Sequence, residues 1–228
     1  MSGKATTLSA SHESAGATMG VVGGWSVPLC FTTLAGEQQA IAERAGVADV
    51  SHLGRVRVRG DGALELLESL CTAGVARQED DTAQETDYVD ASGAVIASGC
   101  ILRLEGFWVL TCQAGVDESL LAYLKSMDVA DVRLDNQTAK VGQLRVMGPL
   151  AGEILDTFLP MKVSDLPVGA AKVGSMFIAK YIAFRTPGEG PWSLEVMLPN
   201  MLLPKAWKYI TSQTGDRTVQ PVGVEALK

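Results

Sequence analysis

The residue types that most often bind metals or act as nucleophiles are sparse in this 228-residue sequence. It has two histidines and four cysteines, and no two cysteines show the C-x-x-C spacing of a metal or redox site. The adjacent acids Asp80 and Asp81 offer fewer oxygen ligands than calcium or magnesium needs. We therefore predict no metal site, and we interpret the cysteines as small core residues of a cytoplasmic protein. The residues concerned are His12, His52, Cys30, Cys71, Cys100 and Cys112.

The composition indicates a globular protein with a substantial core. Apolar residues make up 47% of the chain and charged residues 20%. Nineteen basic and 26 acidic residues give a net charge of −7, and no cluster of basic residues suits a phosphate backbone. Glycines and polar residues interrupt the longest apolar stretches, 19–34 and 91–102, and both are shorter than the ~20 residues of a spanning helix. We predict a soluble protein with no nucleic-acid or membrane partner.

The N-terminal residues have a different composition from the rest. The first fifteen are rich in Ser, Thr and Ala, contain Lys4 as their one basic residue, and lack the apolar segment of a signal peptide. We predict a flexible tail over residues 1–18 and a folded domain over residues 19–228.

Hydrophobic periodicity and turn residues then predict the order of elements. We expect helices at 37–45, 63–70, 117–126, 150–158 and 201–214. We expect a strand with alternating Val and Arg ending at residue 59, a loop at 77–85, a hairpin of 95–104 and 107–112, a strand at 141–146, a hairpin over 171–184 and a strand at 194–198. Strand, helix, strand, strand, helix, strand recurs twice, which indicates an α+β fold of two ferredoxin-like split β-α-β halves.

Several segments resemble one family. Residues 24–28 (G-W-S-V-P) and 43–55 (E-R-A-G-V-A-D-V-S-H-L-G-R) are similar to the G-W-x-x-P and R-x-G-x-x-D-V-S-H-M-G patterns of the aminomethyltransferase family, the T-protein of glycine cleavage. Residues 146–149 resemble its L-Q-G-P turn. Arg185-Thr186, followed by residues 194–196, resembles R-T-G-Y-T-G-E-D-G-F-E. The resemblance extends from about residue 19 to residue 228.

The resemblance implies that tetrahydrofolate binds in a cleft between the two halves. Glu195 stands where the family's acid pairs with the pterin ring, and a carboxylate suits two parallel N–H donors. Leu53 replaces a methionine that packs on the pterin, and Gln113 replaces an asparagine. A solvent-facing role for Glu195 and a packing or capping role for His52 are the alternatives. The implied folate-binding residues are Glu195, Leu53, His52, Gln113 and Arg185.

The sequence also departs from the family pattern. The G-G-I-I-D-D motif, whose first Asp faces the pterin, aligns with residues 93–98, so Ala97 replaces that acid. Steering a proton at the reactive nitrogen needs an ionisable group within reach. Unless Asp87 or Asp90 supplies it, aminomethyl transfer is impaired, and no catalytic residue is assigned. Two family tyrosines are replaced by Glu85 and Gly188.

The end of the sequence resembles the start of a helix that precedes the family's C-terminal barrel domain. We expect that domain to be absent and the cleft to be left open unless a protein partner or a homo-oligomer covers it. Two hypotheses follow. One is a tetrahydrofolate-dependent transferase of aminomethyl or methyl groups, and the other is a non-catalytic folate-binding or scaffold subunit of a larger one-carbon or amine-oxidising complex.

Overall fold

The computed structural model describes residues 3–176, 179–188 and 190–228. These residues form six α-helices and fourteen strands. The helices are α1 (Ser9–Ser14), α2 (Leu34–Glu43), α3 (Ala63–Leu70), α4 (Asp117–Ser126), α5 (Ala151–Asp156) and α6 (Leu203–Thr211). The strands are β1 (Lys4–Ala5), β2 (Thr18–Val22), β3 (Trp25–Cys30), β4 (Gly46–Asp49), β5 (Gly54–Arg59), β6 (Thr82–Val89), β7 (Val95–Leu104), β8 (Phe107–Cys112), β9 (Arg133–Asn136), β10 (Val141–Met147), β11 (Ala171–Met176), β12 (Ala179–Arg185), β13 (Ser193–Pro199) and β14 (Gln220–Pro221).

A five-stranded antiparallel sheet forms the first half, in the order β6-β7-β8-β5-β9. Along the chain, β5, α3, β7, β8, α4 and β9 follow a split β-α-β path, with β6 added at the edge. Helices α3 and α4 cover one face because Val56 and Val58 point toward Leu67 and Leu120. The tight turn between β7 and β8 is made by Gly106, whose φ is +79°.

A six-stranded sheet forms the second half, in the order β11-β12-β13-β10-β4-β14. It repeats the same path through β10, α5, β12, β13 and α6, and β4 takes the place of the fourth strand. Helices α5 and α6 bury Leu155 and Trp207 against its outer face. The predicted α+β fold of two ferredoxin-like halves is therefore confirmed.

The inner faces of the two sheets pack on each other. Their apolar contact contains Leu102 and Val109 from the first sheet and Phe184 and Met197 from the second. The sheets also join at their edges, where the Ala83 amide donates to the Gly169 carbonyl at 2.6 Å. We call the space between these faces the interlayer.

The flexible tail predicted over residues 1–18 is wrong for residues 3–18. Strand β1 pairs with β3 in a three-stranded sheet with β2, and α1 follows it. Leu8 and His12 are fully buried, and His12 Nε2 lies 3.0 Å from Oδ2 of the buried Asp49. The Ser, Thr and Ala composition suggested a tail, but one apolar and one histidine side chain anchor the segment in the core.

Several predicted boundaries also shift. The loop predicted at 77–85 is wrong from Thr82 onward, because this polar stretch forms the edge strand β6 and bonds to β7. Gly46, predicted as a helix end, instead opens β4. Helix α6 is shorter than predicted and ends at Thr211. Within the three described ranges, no helix combines the length and apolar character needed to cross a membrane.

Candidate binding site

Strand alternation places a set of polar side chains in the interlayer. On β13, Leu194 and Val196 point outward to α5 and α6, so Glu195 and Met197 point inward. The same alternation on β10 directs Gln143 inward. Polar residues thus share the interlayer with the apolar contact between the sheets.

Glu195 is buried, with 3% of its surface exposed. Its Oε1 accepts from Arg145 Nε at 3.1 Å and Nη2 at 2.7 Å, and its Oε2 accepts from Gln143 Nε2. Arg145 and Glu195 are opposite each other in the β10–β13 register. Because the Arg145 side chain is 25% exposed and that of Glu195 4%, Arg145 lies between the acid and solvent. These three donors therefore hold the carboxylate of Glu195 in place.

Arg55 continues this polar chain deeper into the interlayer. Its Nη1 donates to Gln143 Oε1 at 2.9 Å, and its Nη2 donates to the carbonyls of Ser51 at 2.8 Å and Thr138 at 3.1 Å. Burial lowers the pKa of Arg55 to about 10, so the guanidinium remains charged at neutral pH. One hydrogen-bonded chain therefore runs from Arg55 through Gln143 to Glu195 and Arg145.

An open cavity of about 480 Å³ lies beside this chain, on β6 and β7. We call it the acid cleft; it is lined by Thr72, Glu85, Thr86, Asp87, Ser98, Gly99 and Cys100. Burial raises the pKa of the Cys100 thiol to about 12, and the charges of Glu195, Glu85 and Arg145 also act on it. Cys100 also packs against the cluster that contains Phe184, the register partner of Glu195, so Glu195 lies near this wall but does not itself line the cleft.

Of the two aligned acid positions, the structure puts Ser98 on the acid cleft rather than Ala97. Ala97 is 4% exposed and packs with Tyr88 in the core beneath α3 and α4. Ser98 points the other way, and its Oγ donates to Asp87 Oδ1 at 2.6 Å. Successive residues of β7 face opposite sides, so Ser98 lies on the acid cleft and Ala97 in the core.

Asp87 and Asp90, the two acids considered as replacements, occupy different places. Asp87 lines the acid cleft. Asp90 stays in an exposed turn, where its Oδ1 accepts from the amides of Ser92 and Ala94. Asp87 is therefore the carboxylate that the fold brings to the position of the missing acid.

The two positions that replace family tyrosines lie against each other. A Cβ placed on Gly188 would lie 3.3 Å from Glu85 Oε1. Glu85 is thus directed toward the loop after β12. The acid cleft has a carboxylate where the family pattern has an aromatic ring.

Three other predicted site residues, Gln113, His52 and Leu53, each have a different environment. Gln113 flanks the acid cleft, since its Oε1 accepts from the Ser98 amide at 3.0 Å. His52 is buried beside Arg145; burial lowers its pKa, and its Nδ1 has no partner among the described residues. Leu53 packs on the cluster that contains Val50 and Met147.

Arg185 is the predicted site residue that the structure does not bring to the cleft. Its neighbour Phe184 points into the interlayer, so Arg185 points to the outer face. There its Nε donates to the Ser193 carbonyl at 3.0 Å, and its guanidinium lies 4.5 Å from the ring centroid of Trp192. Arg185 thus lies on the opposite face of the second sheet from Glu195 and holds the loop around Trp192.

The sequence reasoning missed Gln143, Arg145 and Arg55. The available signal was the pair Gln143 and Arg145 at alternate positions of the otherwise apolar strand β10, because this spacing marks a polar inner face. The alternating arginines of β5 were read as the polar side of a half-buried strand, whereas Arg55 is 0% exposed. In the described ranges, no group of three or more His, Cys, Asp or Glu side chains is arranged to hold a metal.

Comparison with known proteins finds aminomethyltransferases that are similar in sequence to this chain. The chain is 31% identical over 227 residues to an aminomethyltransferase of Chlorobium phaeovibrioides and 28% identical over 225 residues to one of Desulfitobacterium hafniense. Each alignment covers 98% of this chain and 62% of the relative, so the chain spans less than two thirds of these proteins.

Solved structures share the fold. Aminomethyltransferase T of the glycine cleavage system from Bartonella henselae superimposes with a TM-score of 0.87 at 22% identity, covering 98% of this chain and 60% of that one. A chain of heterotetrameric sarcosine oxidase from Corynebacterium sp. U-96 gives 0.54 at 15% identity, covering 80% of this chain and 94% of that one. The GCVT N-terminal domain family matches residues 8–228, and the chain belongs to that family.

Proposed function

We propose that this chain binds tetrahydrofolate beside Glu195 and supports transfer of a one-carbon group to or from it. The observation that carries the proposal is the burial of Glu195 in the interlayer, near the Cys100 wall of the acid cleft. A buried carboxylate that faces a cavity can accept hydrogen bonds from the N–H groups of a pterin ring. Family membership supports the same ligand class.

The cleft also offers an acid for the chemistry. Asp87 shares a short hydrogen bond with Ser98, and both line the cavity. A carboxylate in this position can hold or accept a proton at the nitrogen that carries the one-carbon group, which a serine hydroxyl does poorly. We assign Asp87 the role that the family pattern gives to the acid missing from residues 97 and 98.

Isothermal titration calorimetry with tetrahydrofolate tests the binding proposal. We expect one molecule bound per chain, and we expect Glu195→Gln to weaken binding at least tenfold because the charged hydrogen bonds are lost. Glu68→Gln is the matched control, since Glu68 is exposed on the outer helix α3. Absence of binding by the unmodified protein, or equal affinity in both variants, would reject the proposal.

A second function, that of a non-catalytic folate-binding subunit, is the alternative. The sarcosine oxidase chain is matched over 94% of its length, so a fold of this extent occurs in a heterotetramer. In this alternative, a protein partner or a second copy covers the acid cleft. It predicts tetrahydrofolate binding without turnover when a methyl or aminomethyl donor is added, and formation of methylated or methylene-tetrahydrofolate would contradict it.

A further inference from the structure

A second cavity of about 530 Å³ lies in the interlayer, away from the acid cleft. It contacts β10 at Val141 and β13 at Pro199, a register pair four residues from Arg145 and Glu195. Four residues along a strand correspond to roughly 13 Å. The two cavities share no lining residue. We call this one the arginine cavity.

Its polar lining is mostly cationic, in a chain of net charge −7. Arg55, Arg57 and Arg59 come from alternate positions of β5, so their side chains share one face, and Lys180 of β12 contributes a fourth cation. Glu105 is the acid in the lining. The cavity concentrates positive charge.

These cations are only partly compensated. Arg57 lies 3.3 Å from Asp135, a carboxylate that Lys140 also contacts at 3.0 Å. Arg59 and Lys180, both exposed, make no salt bridge within the described ranges. Two cations at the surface of the cavity thus remain available to an anion.

Two buried donors in the lining also lack acceptors. The Nε atoms of Arg55 and Arg57 are buried and have no hydrogen-bond partner among the described residues. A buried donor without an acceptor is costly, so native structures seldom leave one unsatisfied. Neither Nε atom is open to the cavity space, so a ligand there would meet the exposed Arg59 and Lys180 instead.

The remaining walls are apolar. Phe107 and Val109 contribute from β8, and Val173, Ile182 and Met197 contribute from the opposite sheet. Apolar walls with a few convergent polar groups are the usual make-up of a small-molecule site, and the volume lies within the common range of about 300–1,000 Å³.

We infer that the arginine cavity binds a small organic anion, with the apolar body between the sheets and one acidic group facing the arginines. The inference does not depend on folate binding, since the acid cleft and Glu195 take no part in it. Arg55 contacts both the cavity and Gln143, and Gln143 contacts Glu195, so the two regions share one hydrogen-bonded chain.

Two fluorescent probes with similar aromatic bodies test the inference. One is 8-anilino-1-naphthalenesulfonate, an anion, and the other is N-phenyl-1-naphthylamine, which is neutral. We expect the purified chain to bind the anion at one site. Replacing both Arg59 and Lys180 by Ala should weaken anion binding about fivefold and leave binding of the neutral probe within twofold.

The matched control replaces Lys205 and Lys208 by Ala, which removes two exposed charges from α6 on the outer face of the second sheet. We expect this variant to bind the anion like the unmodified chain. No saturable binding of the anion, equal weakening in the two double variants, or equal weakening for the two probes would each overturn the inference. Circular dichroism of both variants verifies the fold.

Discussion

Folate binding at Glu195, as proposed, requires the ligand to compete with Arg145 for one carboxylate, so replacing Arg145 by Ala should tighten tetrahydrofolate binding. Arg145 places two donors on Glu195 Oε1, and Gln143 occupies Oε2. A ligand with two parallel N–H donors must displace at least one of the Arg145 bonds. Hydrogen bonds to a charged group contribute about 1.5–3 kcal/mol, and partial exposure of the arginine reduces that figure. We take about 1 kcal/mol, which corresponds to roughly fivefold tighter binding.

The assay is calorimetric titration of tetrahydrofolate into the unmodified chain, Arg145→Ala and Arg217→Ala. Arg217 is exposed and makes no salt bridge among the described residues, so its variant controls for the loss of one positive charge. Urea unfolding is measured in parallel, because Arg145→Ala leaves a nearly buried carboxylate with fewer partners and should destabilise the chain by about 1–3 kcal/mol.

The opposite result would refute this reasoning. If Arg145→Ala weakens tetrahydrofolate binding while Arg217→Ala leaves it unchanged, Arg145 is a ligand contact and not a competitor. Equal affinity in all three proteins would show that the ligand does not reach Glu195.

Three further predictions follow from other contacts. Asp49→Asn should lower the free energy of unfolding by about 3 kcal/mol at pH 7 in urea titrations. Burial raises the pKa of Asp49, but hydrogen bonds from His12 and Ser51 outweigh burial and hold this pKa below its usual value. The stability that the ionised carboxylate contributes is therefore present above about pH 4 and is lost as the pH falls through the folded-state pKa. An acid titration in which the variant loses as much stability as the unmodified chain would contradict this prediction. Tyr88→Phe should lower the free energy of unfolding by about 1–2 kcal/mol. The buried hydroxyl lies 3.0 Å from the carbonyl oxygens of Cys100 and Thr111 and donates to one of them at a time. Unchanged thermal unfolding would exclude such a contribution. Asp87→Asn should reduce the rate of one-carbon transfer at least 100-fold while changing tetrahydrofolate affinity less than threefold. Asp216→Asn, at an exposed site, is the control. Retained turnover in Asp87→Asn would show that Asp87 takes no part in the chemistry.

Local patterns predicted the elements whose residues interact with their sequence neighbours. The hairpin of β7 and β8 and the helix α4 have the predicted bounds, because β-branched runs, a turn glycine and N-terminal acids all act over a few residues. The pairing of β4 beside β10 was not predictable in this way. It joins residues almost a hundred positions apart, and only tertiary packing decides it.

The candidate site was predicted only in part for a similar reason. Glu195 could be identified from a matching motif, and the structure buries it in the interlayer near the acid cleft. Its partner Arg145 carries no motif, and the two meet only because their strands pair in one register. The one-residue difference between Ala97 and Ser98 decides which side chain faces the cleft, and an alignment without the strand orientation did not resolve it.

The anchored N-terminal segment has a practical consequence for fragments of this protein. The family match begins at residue 8, so a fragment cut at that boundary would keep α1 but lose β1 and Thr6. The Thr6 hydroxyl donates to Asp49 at 2.9 Å, and the Asp49 carboxylate would then keep its bonds from His12 and Ser51 alone. Expression designs should therefore retain the residues ahead of the homologous region, because Thr6 helps to satisfy the buried charge of Asp49 on β4.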